Sequence, residues 1–281
     1  MSRERHYMRK ANLPGMGECF VGRDRLPCKL IAEEVFVNET YTLDEVAIEE
    51  GDTVFDAGGN IGLFSCYAAE RCGPNGKVFT FEPVPQTFSI LKKNIAVKNL
   101  EGVVHIHNFG LSDKVEERDL NYYRNMSAFS NDCRELQETQ RQASTSYDDA
   151  MVYLEVAFPM LHKLLRAFPS LFHVVVPRMY SFYEKSDRVR CKFNTLERVL
   201  ESSGVERIDF LKMDIEGAER EVLASLPTSV WSKIRKIALE WHFPDRQLIV
   251  DLLEDKGFVV KPAADAGPAI MVHAHRPEMA A

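Results

Sequence analysis

Residues 53–62 of the 281-residue chain read TVFDAGGNIG, and this stretch decides the fold. Its first half is a short apolar run, which predicts a buried strand over 53–56. The glycines that follow allow the backbone to turn tightly and to approach a ligand closely. A helix predicted over 63–71 would direct its unpaired N–H groups at the same place. The stretch therefore predicts a strand, a ligand-binding loop and a helix in succession.

Strands and helices alternate on both sides of a long interruption. Further strands are predicted over 77–81, 103–108, 208–213, 236–240, 257–260 and 269–273, and helices over 86–98, 195–202, 218–226 and 246–256. This alternation predicts an α/β fold with a doubly wound, Rossmann-like, mostly parallel sheet of seven strands and helices on both faces. The last two strands are expected to form an antiparallel edge.

Residues 114–193 interrupt the alternation and are too many for a structureless loop within a compact domain. We predict an inserted, partly helical subdomain here, lying over the C-terminal edge of the sheet. The chain then divides into an N-terminal extension, 1–50, a core formed by 51–113 and 194–281, and this insertion.

The insertion contains an apolar block, because 22 of the 33 residues from 151 to 183 are apolar, against 45% of the whole chain. Three interpretations stay open: a small core of its own, a homodimer contact, or a lid over a substrate. As a lid, the block would contact the substrate through Phe158, Leu161, Phe168, Phe172, Tyr180 and Phe182.

The composition excludes several classes of protein. Lys and Arg number 35 against 42 Asp and Glu, so the net charge is −7, and we expect no nucleic-acid partner. No window has the ~20 apolar residues of a membrane span. The first residues lack the apolar segment of a secretory signal, and the six cysteines include no CxxC pair. These features predict a reduced, cytoplasmic protein.

The glycine loop favours a ligand with a cationic end. Its spacing is D-x-G-x-x-x-G, from Asp56 through Gly58 to Gly62, and differs from the dinucleotide pattern G-x-G-x-x-G. An acidic residue at this position would repel a pyrophosphate. It suits S-adenosylmethionine, which has an ammonium, a sulfonium and no phosphate. We therefore expect Asp56, Gly58, Asn60 and Gly62 to bind this cofactor.

Two further strand ends contribute to the predicted cofactor site. Glu82, followed by Pro83, ends the second strand, where a carboxylate accepts hydrogen bonds from both ribose hydroxyls. Gly110, Leu111 and Ser112 follow the third strand and would face the adenine. The alternative for this third segment is a plain exit from the strand, with the next residue, an aspartate, capping a helix.

Titratable residues follow the fourth and fifth strands. Asp214 is followed by Glu216 and Glu219, and we expect Asp214 to lie nearest the crevice, as a base or as the partner of the cofactor's ammonium. Glu216 and Glu219 also fit a simpler role at a helix N-terminus. His242 is the first candidate for the general base, because histidine titrates near neutrality.

No metal is expected. His105 with His107, and His273 with His275, form pairs on strand faces, but each pair lacks a nearby third ligand in the sequence. A set of Asp214, Glu216 and His242 holding Mg²⁺ is the weaker alternative.

Together these motifs resemble the FkbM family of methyltransferases. The resemblance rests on DAGGNIG at 56–62, FEP at 81–83, GLSD at 110–113, DIEGAE at 214–219 and EWH at 240–242. It implies the seven-strand class I methyltransferase fold and S-adenosylmethionine as cofactor. It also implies methyl transfer, typically to a hydroxyl of a small natural-product, sugar or lipid-like acceptor. The insertion looks longer than the family's usual connection.

Two other functions stay open at this point. An NAD-dependent dehydrogenase is permitted by Glu82, but Asp56 and the glycine spacing argue against it. A non-catalytic module that binds a nucleoside and acts as an interaction partner is the second alternative. The complete set of loops argues against that function.

Overall fold

The computed structural model describes residues 8–125, 127, 130, 151, 154, 159–183, 185–243, 245–261, 265–266 and 269–277. The described chain begins with a hairpin of β1 (Arg9–Leu13) and β2 (Gly17–Val21), followed by helix α1 (Arg25–Phe36). The buried side chains of this segment pack in one cluster with the helix that follows the glycine loop. The segment is therefore attached to one face of the main sheet.

The remaining elements fill the rest of the described chain. The strands are β3 (Thr53–Ala57), β4 (Lys77–Phe81), β5 (Val104–His107), β6 (Gly110–Leu111), β7 (Glu116–Tyr123), β8 (Ser186–Asn194), β9 (Ile208–Met213), β10 (Ile234–Trp241), β11 (Val259–Val260), β12 (Asp265–Ala266) and β13 (Ala269–His275). The helices are α2 (Leu63–Cys72), α3 (Pro85–Val97), α4 (Pro159–Ala167), α5 (Phe172–Tyr183), α6 (Leu196–Ser203), α7 (Glu219–Ser225), α8 (Thr228–Trp231) and α9 (Arg246–Asp255).

The main sheet confirms the predicted α/β fold. Its strand order, within the described residues, is β11-β13-β10-β9-β3-β4-β5, and β12 pairs with β13 beside this path. The strands from β10 to β5 are parallel, whereas β13 runs antiparallel to both β10 and β11. The predicted antiparallel edge is therefore present.

The strand order reverses direction beside β3, because the chain first proceeds outward through β4 and β5 and later returns to the other side as β9. Asp56 lies opposite Lys212 and Ala57 opposite Met213 in the register of β3 and β9. In doubly wound sheets, ligands bind at the carboxyl ends of the strands at such a reversal. This topology places the glycine loop and the end of β9 at one crevice.

Both faces of the sheet are covered, as a parallel sheet requires. Alternate residues of β3 point to opposite faces, so Val54 belongs to the cluster with α1 and α2, and Phe55 to the cluster with α6, α7 and α9. The ring of Phe55 is fully buried and lies 5.0 Å from that of Phe79 and 5.6 Å from that of Phe81, centroid to centroid. The strands are therefore fixed from both sides.

The region predicted as an insertion contains strands as well as helices. β6, β8 and β7 form a second, three-stranded sheet in which β7 and β8 pair antiparallel over eight residue pairs. These strands were not predicted, because their charged residues hide the alternation of buried and exposed side chains. Helices α4 and α5 lie between β7 and β8 in the chain and agree with the predicted helical content.

The apolar block partly forms a core of its own. Met151, Leu154, Leu165, Phe172 and Val176 are buried in one cluster. Other apolar side chains of the same helices remain on the surface, where Met160 is 88% and Phe168 57% exposed. None of the helices in the described residues combines the length and the apolar composition that a bilayer span needs.

Replacing Phe55 by alanine should destabilise the fold, because loss of the buried ring would leave a large cavity at the centre of the sheet. We expect the free energy of unfolding to fall by about 3–5 kcal/mol. Chemical denaturation followed by fluorescence measures this change. Val115→Ala is the control, since Val115 is half exposed and its change should stay within about 0.5 kcal/mol. Equal stability of the two variants would contradict the packing described.

Candidate functional site

The glycine loop after β3 is shaped by backbone conformations that only small residues adopt easily. Gly58 has φ +83° and Gly62 has φ +90°. A Cβ on Gly58 would lie 1.7 Å from the carbonyl oxygen of Asp214, so the two loops approach backbone to backbone. The N–H of Asp214 also donates to the carbonyl of Ala57 at 3.1 Å. The ends of β3 and β9 therefore form one rigid floor for the crevice.

A buried lysine that was not among the predicted site residues lies at the centre of this floor. Lys212 is 3% exposed, and its Nζ lies 3.3 Å from Oδ1 of Asp56 and 3.6 Å from Oδ2 of Asp214. The same Nζ donates to the carbonyl of Gly58 at 2.8 Å. Burial alone would lower the pKa of Lys212, but Asp56 and Asp214 raise it above its ordinary value. The lysine is therefore charged.

Asp56 is bound entirely within the protein. Its side chain is fully buried, Oδ1 faces Lys212, and Oδ2 accepts a hydrogen bond from Oγ of Ser65 at 2.6 Å. The cation that matches Asp56 in this structure is therefore Lys212. A direct bond from Asp56 to the cofactor stays a prediction, and the contacts favour an indirect role through the position of the loop.

Glu82 at the end of β4 is a buried carboxyl beside the glycine loop. It accepts hydrogen bonds from the backbone N–H of Asn60 at 3.0 Å and of Val84 at 2.8 Å. Burial raises its pKa to about 8, although these N–H groups and the charge of Lys212 oppose the shift. Glu82 therefore lies next to the glycine loop, and its contact with ribose hydroxyls stays a prediction.

The third predicted segment lies beside Glu82. The amide of Asn108 donates to the carbonyls of Glu82 and Pro83, and Gly110 faces Pro83 closely. Leu111 and Ser112 are buried, and Gly110–Leu111 form the short strand β6 rather than a plain loop. The chain continues into a strand, so the alternative of a helix cap after Ser112 is wrong. The contact of this segment with adenine stays a prediction.

The turn after β9 is held by a second buried carboxylate. Glu216 has φ +54°, a conformation that is uncommon for residues other than glycine and concentrates at functional sites. Glu219 is fully buried and accepts hydrogen bonds from the N–H groups of Ile215 and Gly217. Glu219 therefore has two roles. It lies at the start of a helix, as the simpler interpretation of the sequence has it, and it also fixes the preceding turn.

His242 lies among three carboxyl groups. Its Nδ1 is 3.1 Å from Oε1 of Glu219, and its Nε2 is 3.7 Å from Oε2 of Glu216 and 3.8 Å from Oε1 of Glu240. Burial alone would lower the pKa of His242, but Glu216, Glu219 and Glu240 raise it well above its ordinary value. Its role as general base stays a prediction, and these neighbours favour the protonated form, which does not accept a proton.

Two further residues at this site were missed from the sequence. Tyr41, from the segment before β3, is buried, and its hydroxyl lies 3.2 Å from Oδ2 of Asp214 and 3.3 Å from Oε2 of Glu240. Burial and the neighbouring Asp214 raise the pKa of Glu240 to about 8, while His242 opposes the shift. Glu240 belongs to the motif EWH and ends a predicted strand, and this position could have identified it as a site residue. The sequence offers no comparable signal for Tyr41.

Metal-ligand atoms also meet here. Asp214, Glu240 and His242 each offer one atom, and these three atoms lie within 4.8 Å of one another. The group differs from the weaker set considered above by having Glu240 in place of Glu216. Of the histidine pairs, His107 stacks on Phe81, and Nε2 of His273 contacts the carbonyl of Thr40 at 2.9 Å. Those two histidines have structural contacts.

The structure describes the side chains of three of the six predicted lid residues, and two of these three pack within the insertion itself. Leu161 packs against the buried cluster that contains Phe172, and Phe168 is largely exposed. Tyr180 and Phe182 belong to α5, whose side chains at these positions are not described, and Phe158 lies outside the described residues. Their contact with a substrate stays a prediction.

Comparison with known proteins shows the family to which the chain belongs. A family model described as the methyltransferase FkbM domain matches residues 56–260, which is more than half of the chain. The chain belongs to the FkbM methyltransferases. Its cofactor is S-adenosylmethionine, and the alternative of an NAD-dependent dehydrogenase is wrong.

Several known proteins are similar to the chain. The antimetabolite synthetase AmbE of Pseudomonas aeruginosa is 30% identical over 274 residues, which is 92% of this chain and 12% of AmbE. The 31-O-demethyl-FK506 methyltransferase FkbM of Streptomyces tacrolimicus is 26% identical, covering 84% of each chain. The structure of Aeropyrum pernix fibrillarin with S-adenosylmethionine is 13% identical, covering 95% of this chain and 82% of that one, with a TM-score of 0.43. The chain thus spans a small part of AmbE and most of FkbM.

Removing the Lys212 charge should strongly destabilise this FkbM core, because Asp56 would remain as an unpaired buried charge. We expect Lys212→Met to lower the free energy of unfolding by about 3–5 kcal/mol. The double variant Lys212→Met with Asp56→Asn should lose less than the two single variants together. Denaturant titration of the four proteins measures the coupling. Purely additive losses would show that the pair does not interact as described.

The raised pKa of Glu82 gives cofactor binding a pH dependence. An ionised carboxylate accepts from both ribose hydroxyls, so affinity for S-adenosylhomocysteine should increase as the pH rises through about 8. Glu82→Gln should bind about 10- to 100-fold more weakly, with no such increase. Calorimetry between about pH 7 and 9 measures both effects. Glu101→Gln, an exposed carboxyl, is the control, and the same slope in Glu82→Gln would exclude Glu82 as its origin.

Proposed function

We propose that this FkbM enzyme transfers the methyl group of S-adenosylmethionine to a hydroxyl oxygen of a small natural-product, sugar or lipid-like molecule. The observation that carries the proposal is the pair of carboxyl groups of Asp214 and Glu240, joined by the hydroxyl of Tyr41, directly beside the glycine loop. A hydroxyl acceptor has to release a proton during the transfer. The carboxyl pair provides a place for that proton, and the 31-O-demethyl-FK506 methyltransferase is a relative whose name states an oxygen acceptor.

The residues of the crevice fit this cofactor by their chemistry. Gly58 lets the glycine loop lie directly against the carbonyl of Asp214, Glu82 offers carboxylate oxygens, and Asp214 is a negative group at the strand reversal. When bound, S-adenosylmethionine supplies a methyl group on a positively charged sulfur. The negative side chains at the crevice match that charge.

The residues of the chain contribute to the reaction by positioning the acceptor against the cofactor and by accepting the proton of the acceptor hydroxyl. The crevice would hold the acceptor oxygen in line with the methyl carbon and the sulfur and exclude water. The oxygen forms the new C–O bond, the C–S bond breaks with its electron pair on sulfur, and the hydroxyl proton passes to the carboxyl cluster. Asp214, whose carboxylate contacts the hydroxyl of Tyr41, is the leading residue for this role, ahead of His242, which its carboxyl neighbours favour in the protonated form.

The insertion is proposed to cover the acceptor. Oγ of Ser127 donates to Asp24 at 2.5 Å and lies 3.3 Å from Oδ1 of Asn60, which links the start of the insertion to the cofactor loop. The exposed apolar side chains of Met160 and Phe168 would then contact an apolar acceptor. The same surface also suits a homodimer, which remains the alternative for these residues.

A cytoplasmic setting is part of the proposal. Cys19, Cys28, Cys66, Cys72 and Cys191 are free and buried in the described structure. Free thiols persist in a reducing compartment. Burial raises the pKa of the Cys66 thiol to about 12, so it stays uncharged and unreactive.

Transfer of a ¹³C-labelled methyl group tests the function directly. Purified enzyme is supplied with labelled S-adenosylmethionine and a panel of polyketide, sugar and hydroxy-lipid acceptors, each paired with an amine analogue. NMR distinguishes the O-methyl from the N-methyl carbon. We expect labelled O-methyl products. Transfer to nitrogen alone would contradict the O-methylation proposed, and tight cofactor binding with no transfer to any acceptor would favour the non-catalytic module.

Asp214→Asn should separate catalysis from cofactor binding in that assay. We expect turnover to fall by about 10²-fold or more, with the affinity for S-adenosylhomocysteine changed only a few fold. Glu221→Gln is a matched control, because Glu221 is an exposed carboxyl on the neighbouring helix α7. A loss confined to cofactor affinity would instead assign Asp214 to the ammonium of the cofactor.

A further inference from the structure

We propose that Asp214, Glu240 and His242 bind a divalent cation such as Mg²⁺ or Mn²⁺, which holds the acceptor hydroxyl in the crevice. This inference rests on the function proposed above and names a further component of the same site. It replaces the expectation from sequence that no metal is bound. The three residues lie at the carboxyl ends of β9 and β10, which are parallel neighbours in the sheet.

The orientation of His242 is the first argument. Glu219 is a fully buried carboxylate that accepts from two backbone N–H groups, and its contact at 3.1 Å assigns a hydrogen to Nδ1 of His242. The opposite ring nitrogen, Nε2, then points into the carboxyl cluster. The side chain is 7% exposed, yet Nε2 makes no hydrogen bond to any residue that the structure describes. Histidines that bind metals commonly donate their other ring N–H to a carboxylate in this way.

The distances around Nε2 leave room for a cation in place of the proton that the neighbouring carboxyl groups otherwise favour there. Its nearest described carboxylate oxygens, on Glu216 and Glu240, are 3.7 Å and 3.8 Å away. An N–H···O hydrogen bond spans about 2.7–3.2 Å, so these gaps are too long for one. Ligand atoms about 2.0–2.2 Å from a shared metal lie about 3–4 Å apart. Oε2 of Glu216, 3.7 Å from Nε2, is also buried with no hydrogen-bond partner among the described residues.

The surrounding groups engage one oxygen of each of the two carboxylates and hold the carboxylates side by side. Tyr41 contacts Oδ2 of Asp214 and Oε2 of Glu240, and Lys212 also faces Oδ2 of Asp214. These contacts leave Oδ1 of Asp214 and Oε1 of Glu240, and Oε1 is the oxygen that faces His242. Lys212 itself is engaged by Asp56 and by the loop carbonyls, so its charge is compensated on the other side of Asp214. Tyr41 is therefore a positioning residue for both ligands.

Two carboxylates and one imidazole suit a hard or borderline divalent ion. Three protein ligands leave coordination positions open for an acceptor oxygen. Binding the hydroxyl to the cation would lower its pKa. With the cation bound, Asp214 would act as its ligand rather than as the base, so the proton would pass to water, the oxygen would form the C–O bond, and the C–S bond would break with its electron pair on sulfur. The cation would thus raise the reactivity of a hydroxyl more than that of an amine.

Binding of Mn²⁺ tests the site without relying on activity. Mn²⁺ is titrated into the full chain with S-adenosylhomocysteine present, and binding is followed by calorimetry and by electron paramagnetic resonance. We expect one site per chain. Glu240→Gln and His242→Gln should each weaken it at least about 10-fold, and Tyr41→Phe should also weaken it. His105→Gln is the control, because His105 is an exposed histidine on β5.

A second measurement on the unaltered protein guards against variants that fail to fold. Mn²⁺ that binds the native state raises the unfolding temperature as its concentration increases. Absence of any binding at millimolar Mn²⁺, or equal binding by the Glu240→Gln and His242→Gln variants, would overturn the site. Methyl transfer that continues undiminished after chelation would overturn the role of the cation while leaving O-methylation intact. Mn²⁺ binding in a protein that methylates no hydroxyl would leave the site standing and remove the proposed function.

Discussion

The structure of the crevice depends on one buried ion-pair network. The ammonium of Lys212 lies between the carboxylates of Asp56 and Asp214 and donates to the carbonyl of Gly58. A charge at that depth is tolerated because two carboxylates compensate it and backbone carbonyls accept its hydrogen bonds. The network fixes the end of β9 against the loop after β3, and every other group of the site is positioned relative to that junction.

The sequence was sufficient for the sheet and for the backbone of the cofactor loop, because both follow from local patterns. A buried strand followed by glycines produces the same turn wherever it occurs, and the alternation of strands and helices determines their order. The electrostatics of the loop were harder to predict. Asp56 was correctly placed at the crevice, but its partner proved to be Lys212, a residue whose importance depends on the pairing of β3 with β9.

The remaining features arise from contacts that no local pattern encodes. Tyr41 reaches the site across 173 positions to Asp214, and nothing in its neighbourhood distinguishes it from any other tyrosine. The strands β7 and β8 carry charged residues on their exposed face, so their sequences resemble polar loops until they pair. His242 was predicted as a site residue because histidine titrates near neutrality. Its charge state, however, depends on Glu216 and Glu219, which follow the neighbouring strand β9.

The bridge made by Tyr41 has a consequence for how the enzyme becomes active. It joins Asp214 to Glu240 from a position near the start of the chain, so three distant segments must be in place before the carboxyl pair is aligned. Such long-range contacts form late in folding. The alignment of the carboxyl pair is therefore coupled to the docking of the N-terminal segment on the sheet, so a change that loosens that segment would disturb the pair from a distance.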